Sequence, residues 1–134
     1  MTLLTRAYRV ATSICAPLIH WGATRSLNAA QKRERLGGSP NPTPDVIWFQ
    51  APSLGELRVL APLLEPIRAK GKVLITTHSL TGYTEAQKMA DVAALAPLDT
   101  PAATRRFLSN WQPRMAVFVA VSYTHLTLPT IYSV

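Results

Sequence analysis

Ser53-Leu54-Gly55-Glu56 holds the residues of this chain best placed to do chemistry. A hydroxyl followed three residues later by a carboxylate fits the S-x-x-E capping box. In that arrangement Ser53 accepts from a backbone N–H at the start of a helix, and Glu56 reaches back to the N–H of the cap. The same corner also favours negative charge, because free helix N–H groups and the positive end of the helix dipole point into it. A carboxylate held there can take a proton from a sugar hydroxyl as a general base. Capping and catalysis do not exclude each other, so spacing leaves both open. Glu56 is the candidate catalytic residue, with Ser53 and Gly55 as candidate substrate contacts.

A second stretch, Thr76-Thr77-His78-Ser79-Leu80-Thr81-Gly82, is rich in hydroxyls. It reads either as turn chemistry with a helix cap or as a set of short donors and acceptors facing a polyhydroxyl ligand. On the second reading Thr76, Thr77, Ser79, Thr81 and Gly82 are the ligand contacts. His78 has no cysteine and no second histidine at ligand spacing, so no metal site is expected. Asp99 and Thr100 read first as helix caps. Arg105 and Arg106, with Phe107, Leu108 and Trp111, make an amphipathic helix whose arginines read as a solvated face. Neither G-x-G-x-x-G nor a Walker A loop is present, which leaves a dinucleotide or P-loop site unsupported.

These residues need elements to hold them. The apolar run Val46 to Ala51 reads as a strand leading into the Ser53 corner. A helix follows from about Leu54 to Lys70, with Leu57, Leu60, Leu64 and Ile67 on one stripe. Pro62 and Pro66 should bend or shorten it, and Gly71 should stop it. Val73 to Thr77 is a second, β-branched strand, and Thr81 can cap a helix running to about Asp91. Val92 to Leu98 is a weaker third strand. Thr100 and Pro101 open a helix to about Trp111, and Met115 to Val119 is the last strand. Strand and helix alternate with short connections. That order predicts an α/β fold, a Rossmann-like parallel sheet with helices on both faces, and it puts Glu56 at the carboxyl edge where such sheets bind ligands.

The chain has 134 residues, of which 48% are hydrophobic and 16% charged, a globular balance for one domain. Its net charge is +7, and six of its cations (Arg6, Arg9, Arg25, Lys32, Arg33, Arg35) stand before Pro44 against Glu34 alone. Such an imbalance points to phosphates or an acidic lipid surface. No basic run interleaves with aromatics, so nucleic acid is not an expected partner. The single cysteine, Cys15, excludes an internal disulfide. Small apolar neighbours make it a buried or membrane-facing thiol. Val10 to Thr24 carries no charge but is short for a bilayer span and is broken by Pro17 and His20. It lacks a clean cleavage site for a secretory signal. Tyr8, Trp21 and the flanking arginines suit an interfacial helix, with Arg6, Arg9 and Arg25 touching anionic lipid. A short span, or a helix packed on the protein's own core, are the alternatives.

With these residues in view, the chain resembles the N-terminal half of 3-deoxy-D-manno-octulosonic acid (Kdo) transferases, over about residues 3 to 119. The resemblance is carried by Arg33-Glu34-Arg35-Leu36-Gly37, by Gln50 to Glu56 against a His-Ala-x-Ser-x-Gly-Glu motif, and by Thr76 to Gly82. It continues through Pro97-Leu98-Asp99-Thr100-Pro101, Arg105 to Leu108, Trp111 and Pro113. Gln50 stands where the family has histidine, and Pro52 where it has an aliphatic residue. The resemblance implies a GT-B glycosyltransferase with a membrane-associating N-terminal helix, an N-terminal acceptor domain for a lipid A precursor and a C-terminal domain for the donor CMP-Kdo. It implies Glu56 as the general base, no cofactor or essential metal, a role in lipopolysaccharide biosynthesis, and work at the cytoplasmic face of the inner membrane.

The expected organisation is a basic membrane-associating helical segment at 1–36, a Pro/Gly-rich linker at 37–45, and an incomplete Rossmann-like acceptor domain at 46–119. The ending, 120–134, lacks the family's Glu-x-Glu-Leu-Trp-Pro phrase and reads as a non-native tail, so His125 is set aside as a site candidate. On this reading the donor domain is missing, and the chain alone is expected to be inactive. Two other function classes fit the residues: a non-enzymatic, basic, membrane-peripheral Rossmann-like module that binds anionic lipid, and a small flavodoxin-like nucleotide enzyme.

Overall fold

The computed structural model describes residues 2–39, 41–119 and 130–133. The chain divides into two compact units, one of Met1–Pro42 with Pro97–Asn110 and one of Thr43–Ala96 with Trp111–Val134.

The second unit holds the sheet. Strands β1 (Ile47–Gln50), β2 (Val73–Thr77), β3 (Val92–Leu95) and β4 (Met115–Phe118) are parallel, and β5 (Thr130–Ser133) lies antiparallel on β4, in the order β3-β2-β1-β4-β5. β1 is therefore central, with β2 on one side and β4 on the other. Its residues Ile47, Trp48 and Phe49 are buried, as a strand paired on both edges should be. Period-two alternation sends Ile47, Phe49 and Ala51 to one face with Val73, Ile75, Val117 and Val119. There they meet Leu57, Leu60 and Leu64 of α3 (Leu54–Arg68) and Ala86 of α4 (Leu80–Met89), which completes the core. Trp48 points to the opposite face, edge-on to Phe118 at 5.2 Å between ring centroids.

Three details differ from the sequence expectation. β3 ends at Leu95 rather than Leu98; the N–H of Ala96 makes one more bond, to Thr77 O, before the chain leaves the sheet. α3 carries Pro62 and Pro66 inside it, as expected, and ends at Arg68 rather than at about Lys70. The two prolines are four residues apart on an exposed face, so the carbonyls they free, at Arg58 and Pro62, are on solvent-exposed residues and cost little. The expected non-native tail lies outside the described residues, His125 included, except for β5, a strand the sequence did not announce.

The first unit is helical among the described residues: α1 (Leu3–Thr24), α2 (Ala29–Arg35) and the first ten residues of α5 (Pro101–Trp111). Asn28 and Gln31 form a capping box at the start of α2. Gly37 ends that helix at φ +85°, donating its N–H to Glu34 O, while its own carbonyl accepts from the Asn110 side chain at 2.9 Å. The expected linker thus begins as a packed cap.

Candidate functional site at the carboxyl edge of the sheet

Chain order runs outward from β1 to β2 to β3 and then returns to β4 on the far side of β1. The strand order therefore reverses between β1 and β4, and the crevice beyond the carboxyl ends at such a switch point is where open α/β sheets bind ligands. The loop leaving β1 at this point is Ala51-Pro52-Ser53, and it delivers Glu56.

Ser53 has extended backbone and serves as the N-cap of α3, and the Ser53–Glu56 capping box is in place. Glu56 Oε2 accepts the Ser53 N–H at 3.1 Å and also the Ser53 hydroxyl proton. Both bonds fall on one oxygen. Among the described residues the other, Oε1, has no hydrogen-bond partner. Glu56 as a residue is half-buried, Ser53 and Gly55 are exposed, and Leu57 beside them is buried in the core. One side of the first turn is thus fixed to the protein while a single carboxylate oxygen is left to act as a proton acceptor. Gly55 has no internal reason to be glycine: a Cβ there would meet only Ser53 Oγ, at 3.9 Å, and its φ is not positive.

The end of β2 is built differently. Thr76 and Thr77 are fully buried. Thr76 Oγ1 accepts the Trp48 indole N–H at 2.8 Å and donates to Gln50 Oε1, its in-register neighbour on β1. The Gln50 amide nitrogen then faces His78 Nε2 at 2.8 Å. An NH2 group can only donate, so this nitrogen of His78 is the acceptor and Nδ1 carries the proton. The His78 N–H in turn donates to Pro52 O at 3.1 Å, tying the β2 loop to the β1 loop. Thr77 Oγ1 donates to Ser79 O at 3.1 Å, and Ser79 Oγ accepts the Gly82 N–H at 3.0 Å.

Ser79, not Thr81, therefore caps α4. Both are hydroxyl residues before an amphipathic run, and only the one with extended backbone can reach back to the helix. Gly82 is needed by that cap, since a Cβ would lie 2.8 Å from Ser79 Oγ. Of the sequence-level ligand contacts, Ser53, Gly55 and Thr81 are exposed. Thr76, Thr77, Ser79 and Gly82 have their polar groups or their space taken up inside the protein. Those bonds hold the edge in shape. The Gln50–His78 link was missed, because nothing in the sequence says that β1 and β2 pair in a register that sets Gln50 beside Thr76. Among the described residues no group of three His, Cys, Asp or Glu side chains could hold a metal ion.

The other unit carries the arginines expected to meet anionic lipid. Arg6, Arg9 and Arg25 are exposed on or just after α1, as are Leu3, Leu4, Tyr8, Val10, Ile14 and Leu18. Cys15 is exposed, so the buried alternative for this thiol falls away. No helix among the described residues is long and apolar enough to cross a membrane. Asp99, expected as a helix cap, instead accepts the Tyr8 phenol proton at 2.5 Å, a bond that holds the phenol above its usual pKa. Thr100 alone caps α5, its Oγ1 accepting from the Ala103 N–H at 3.3 Å.

Comparison with known proteins gives a consistent result. The family described as 3-Deoxy-D-manno-octulosonic-acid transferase (kdotransferase) matches residues 30–122. A probable 3-deoxy-D-manno-octulosonic acid transferase, mitochondrial, from Arabidopsis thaliana is 32% identical over 127 residues, which cover 85% of this chain and 28% of that protein. A 3-deoxy-D-manno-octulosonic acid transferase from Bordetella pertussis is 32% identical over 131 residues, 84% of this chain and 31% of that protein. The chain thus spans less than a third of the length of these relatives.

Proposed function

The chain belongs to the 3-deoxy-D-manno-octulosonic acid transferase family, and from that premise we propose that it is the acceptor-binding part of an enzyme that transfers Kdo from CMP-Kdo to a lipid A precursor. The observation that carries this reading is the free Oε1 of Glu56 at the switch point of the sheet. Glu56 takes the proton of the acceptor hydroxyl as its oxygen bonds to the anomeric carbon of Kdo. The bond from that carbon to the CMP phosphate breaks, and CMP leaves with the bonding pair. The Ser53 N–H and hydroxyl hold the carboxylate in place during the step. No residue of this chain is assigned to CMP-Kdo, which is bound by a separate C-terminal domain of the parent enzyme. Arg6, Arg9 and Arg25 set the domain on an anionic surface, the cytoplasmic leaflet of the inner membrane, where phosphates of the acceptor also lie.

A chimera tests this. Residues 1–119 replace the matching segment of the Bordetella pertussis relative, and transfer of labelled Kdo from CMP-Kdo to a lipid A precursor is followed. Transfer well above that of the relative's isolated C-terminal remainder is expected. A folded chimera that makes no product would remove the assignment.

A further inference from the structure

We propose that the groove lined by α1 and the start of α5 seats the phosphate of an anionic phospholipid in a bilayer, with Arg105 as the third cation beside Arg6 and Arg9. This rests on the membrane-surface reading above and makes it specific. The groove has a volume of about 480 Å³ and is lined by Arg6, Arg9, Ser13, Val10, Ile14 and Pro101 together with Arg105. Three arginines therefore border one hollow, and no acidic residue lines it. The carboxylate of the neighbouring hollow, Asp99, accepts the proton of Tyr8.

Helical geometry explains the mixed lining. At 100° per residue, Leu3, Ala7, Val10, Ile14 and Leu18 fall on one stripe of α1, while Arg6, Arg9 and Ser13 fall side by side along its edge. The stripe is solvent-exposed: Leu3, Val10, Ile14 and Leu18 are 58–85% accessible. A ligand that fills the groove must offer negative charge to the arginine edge and hydrocarbon to the stripe. A phospholipid does both, with its phosphate among the guanidinium groups and its upper acyl chain along Val10 and Ile14. Nucleotides and free phosphate offer only the first. Guanidinium forks also match phosphate geometry bidentately, which a lysine in their place does not. Arg105 is exposed, on the solvated face that spacing assigned to it, and from there it borders the groove. Arg25 lies outside the lining.

Flotation with vesicles of equimolar phosphatidylglycerol and phosphatidylcholine tests the seat on the full chain. A cation that acts only through the surface potential contributes about a five-fold change in binding. Arg25→Gln should lose about that much. Arg105→Gln should lose clearly more, Arg105→Lys should not restore it, and Ser13→Glu should abolish binding while all arginines remain. Inorganic phosphate at the same ionic strength as a chloride control should not compete. Equal losses for Arg25→Gln and Arg105→Gln, or full binding by Arg105→Lys, would overturn the seat while leaving a diffuse membrane contact standing. Unchanged binding by all variants would overturn both. Competition by inorganic phosphate beyond the chloride control would overturn the lipid as its occupant. Far-UV circular dichroism of each variant separates lost binding from lost fold, and Arg105→Lys and Ser13→Glu keep the test open should Arg105→Gln unfold.

Discussion

Glu56 and Gly55 sit side by side in the first turn of α3, and the protein uses them differently. Glu56 commits one carboxylate oxygen to Ser53. Gly55 commits nothing: the space where a side chain would lie is open. Glycine in a helix interior costs up to about 1 kcal/mol relative to alanine, and under the proposed function its place in this first turn is close approach of the acceptor to the backbone. Gly55→Ala should therefore leave the thermal midpoint unchanged or raise it, while acceptor transfer in the chimera falls. A lowered midpoint would mean that the glycine serves the fold instead. The Ser53–Glu56 pair was legible from three-residue spacing. The buried network from Trp48 through Thr76 and Gln50 to His78 was not, because it joins side chains of two strands whose pairing is a long-range fact.

At the scale of elements, periodicity located each parallel strand and each helix of the sheet unit, because apolar stripes and β-branched runs are local properties. Ends were harder. Ser79 and Thr81 differ as caps only through backbone conformation, and β3 stops where the chain turns away. The α2 cap is the clearest case. Gly37 looks like linker composition, yet it is buried at φ +85°, and a Cβ would lie 2.2 Å from Ala103 O of α5. No side chain fits without moving that backbone. Gly37→Ala should destabilise the helical unit by at least about 1–3 kcal/mol, the usual strain of a left-handed non-glycine residue, measured by denaturant unfolding. A neutral effect would show that α2 and α5 do not meet at this cap. Tyr8 and Asp99 could not be paired from sequence either, being 91 positions apart.

For the molecule as a whole, the excess of positive charge leaves few carboxylates to balance it, and Asp45 is one that the fold uses. It stands at the start of the sheet unit at φ +64° and takes a two-pronged bond from Arg114, Nε at 2.9 Å and Nη2 at 2.5 Å. Those hydrogen bonds, and then the guanidinium charge, hold the Asp45 carboxyl below its ordinary value. A group with a depressed folded pKa stabilises above its unfolded value, near 4 for aspartate, and that stability is lost as pH falls through the folded value. Asp45→Asn keeps the backbone tolerance and removes the charge. It should be less stable than the parent at neutral pH, by a modest amount because the pair is exposed. The gap should close as the pH falls below 4. A gap that persists in acid would assign the effect to shape rather than charge. Composition made the basic N-terminal third plain, but not where its arginines gather. That required α1 and α5 to be placed in one unit.

Glu56→Gln asks most of the proposed chemistry while disturbing the fold least. Glutamine at this position still reaches back to the cap N–H, so the capping box survives and only the proton acceptor is lost. In the transfer-competent chimera, the variant should unfold at the parent's temperature and bind the acceptor lipid as before. Its turnover should fall by roughly a hundred- to ten-thousand-fold, the usual worth of a general base. Turnover at the parent's level in a protein of unchanged stability would leave Glu56 a helix cap and nothing more.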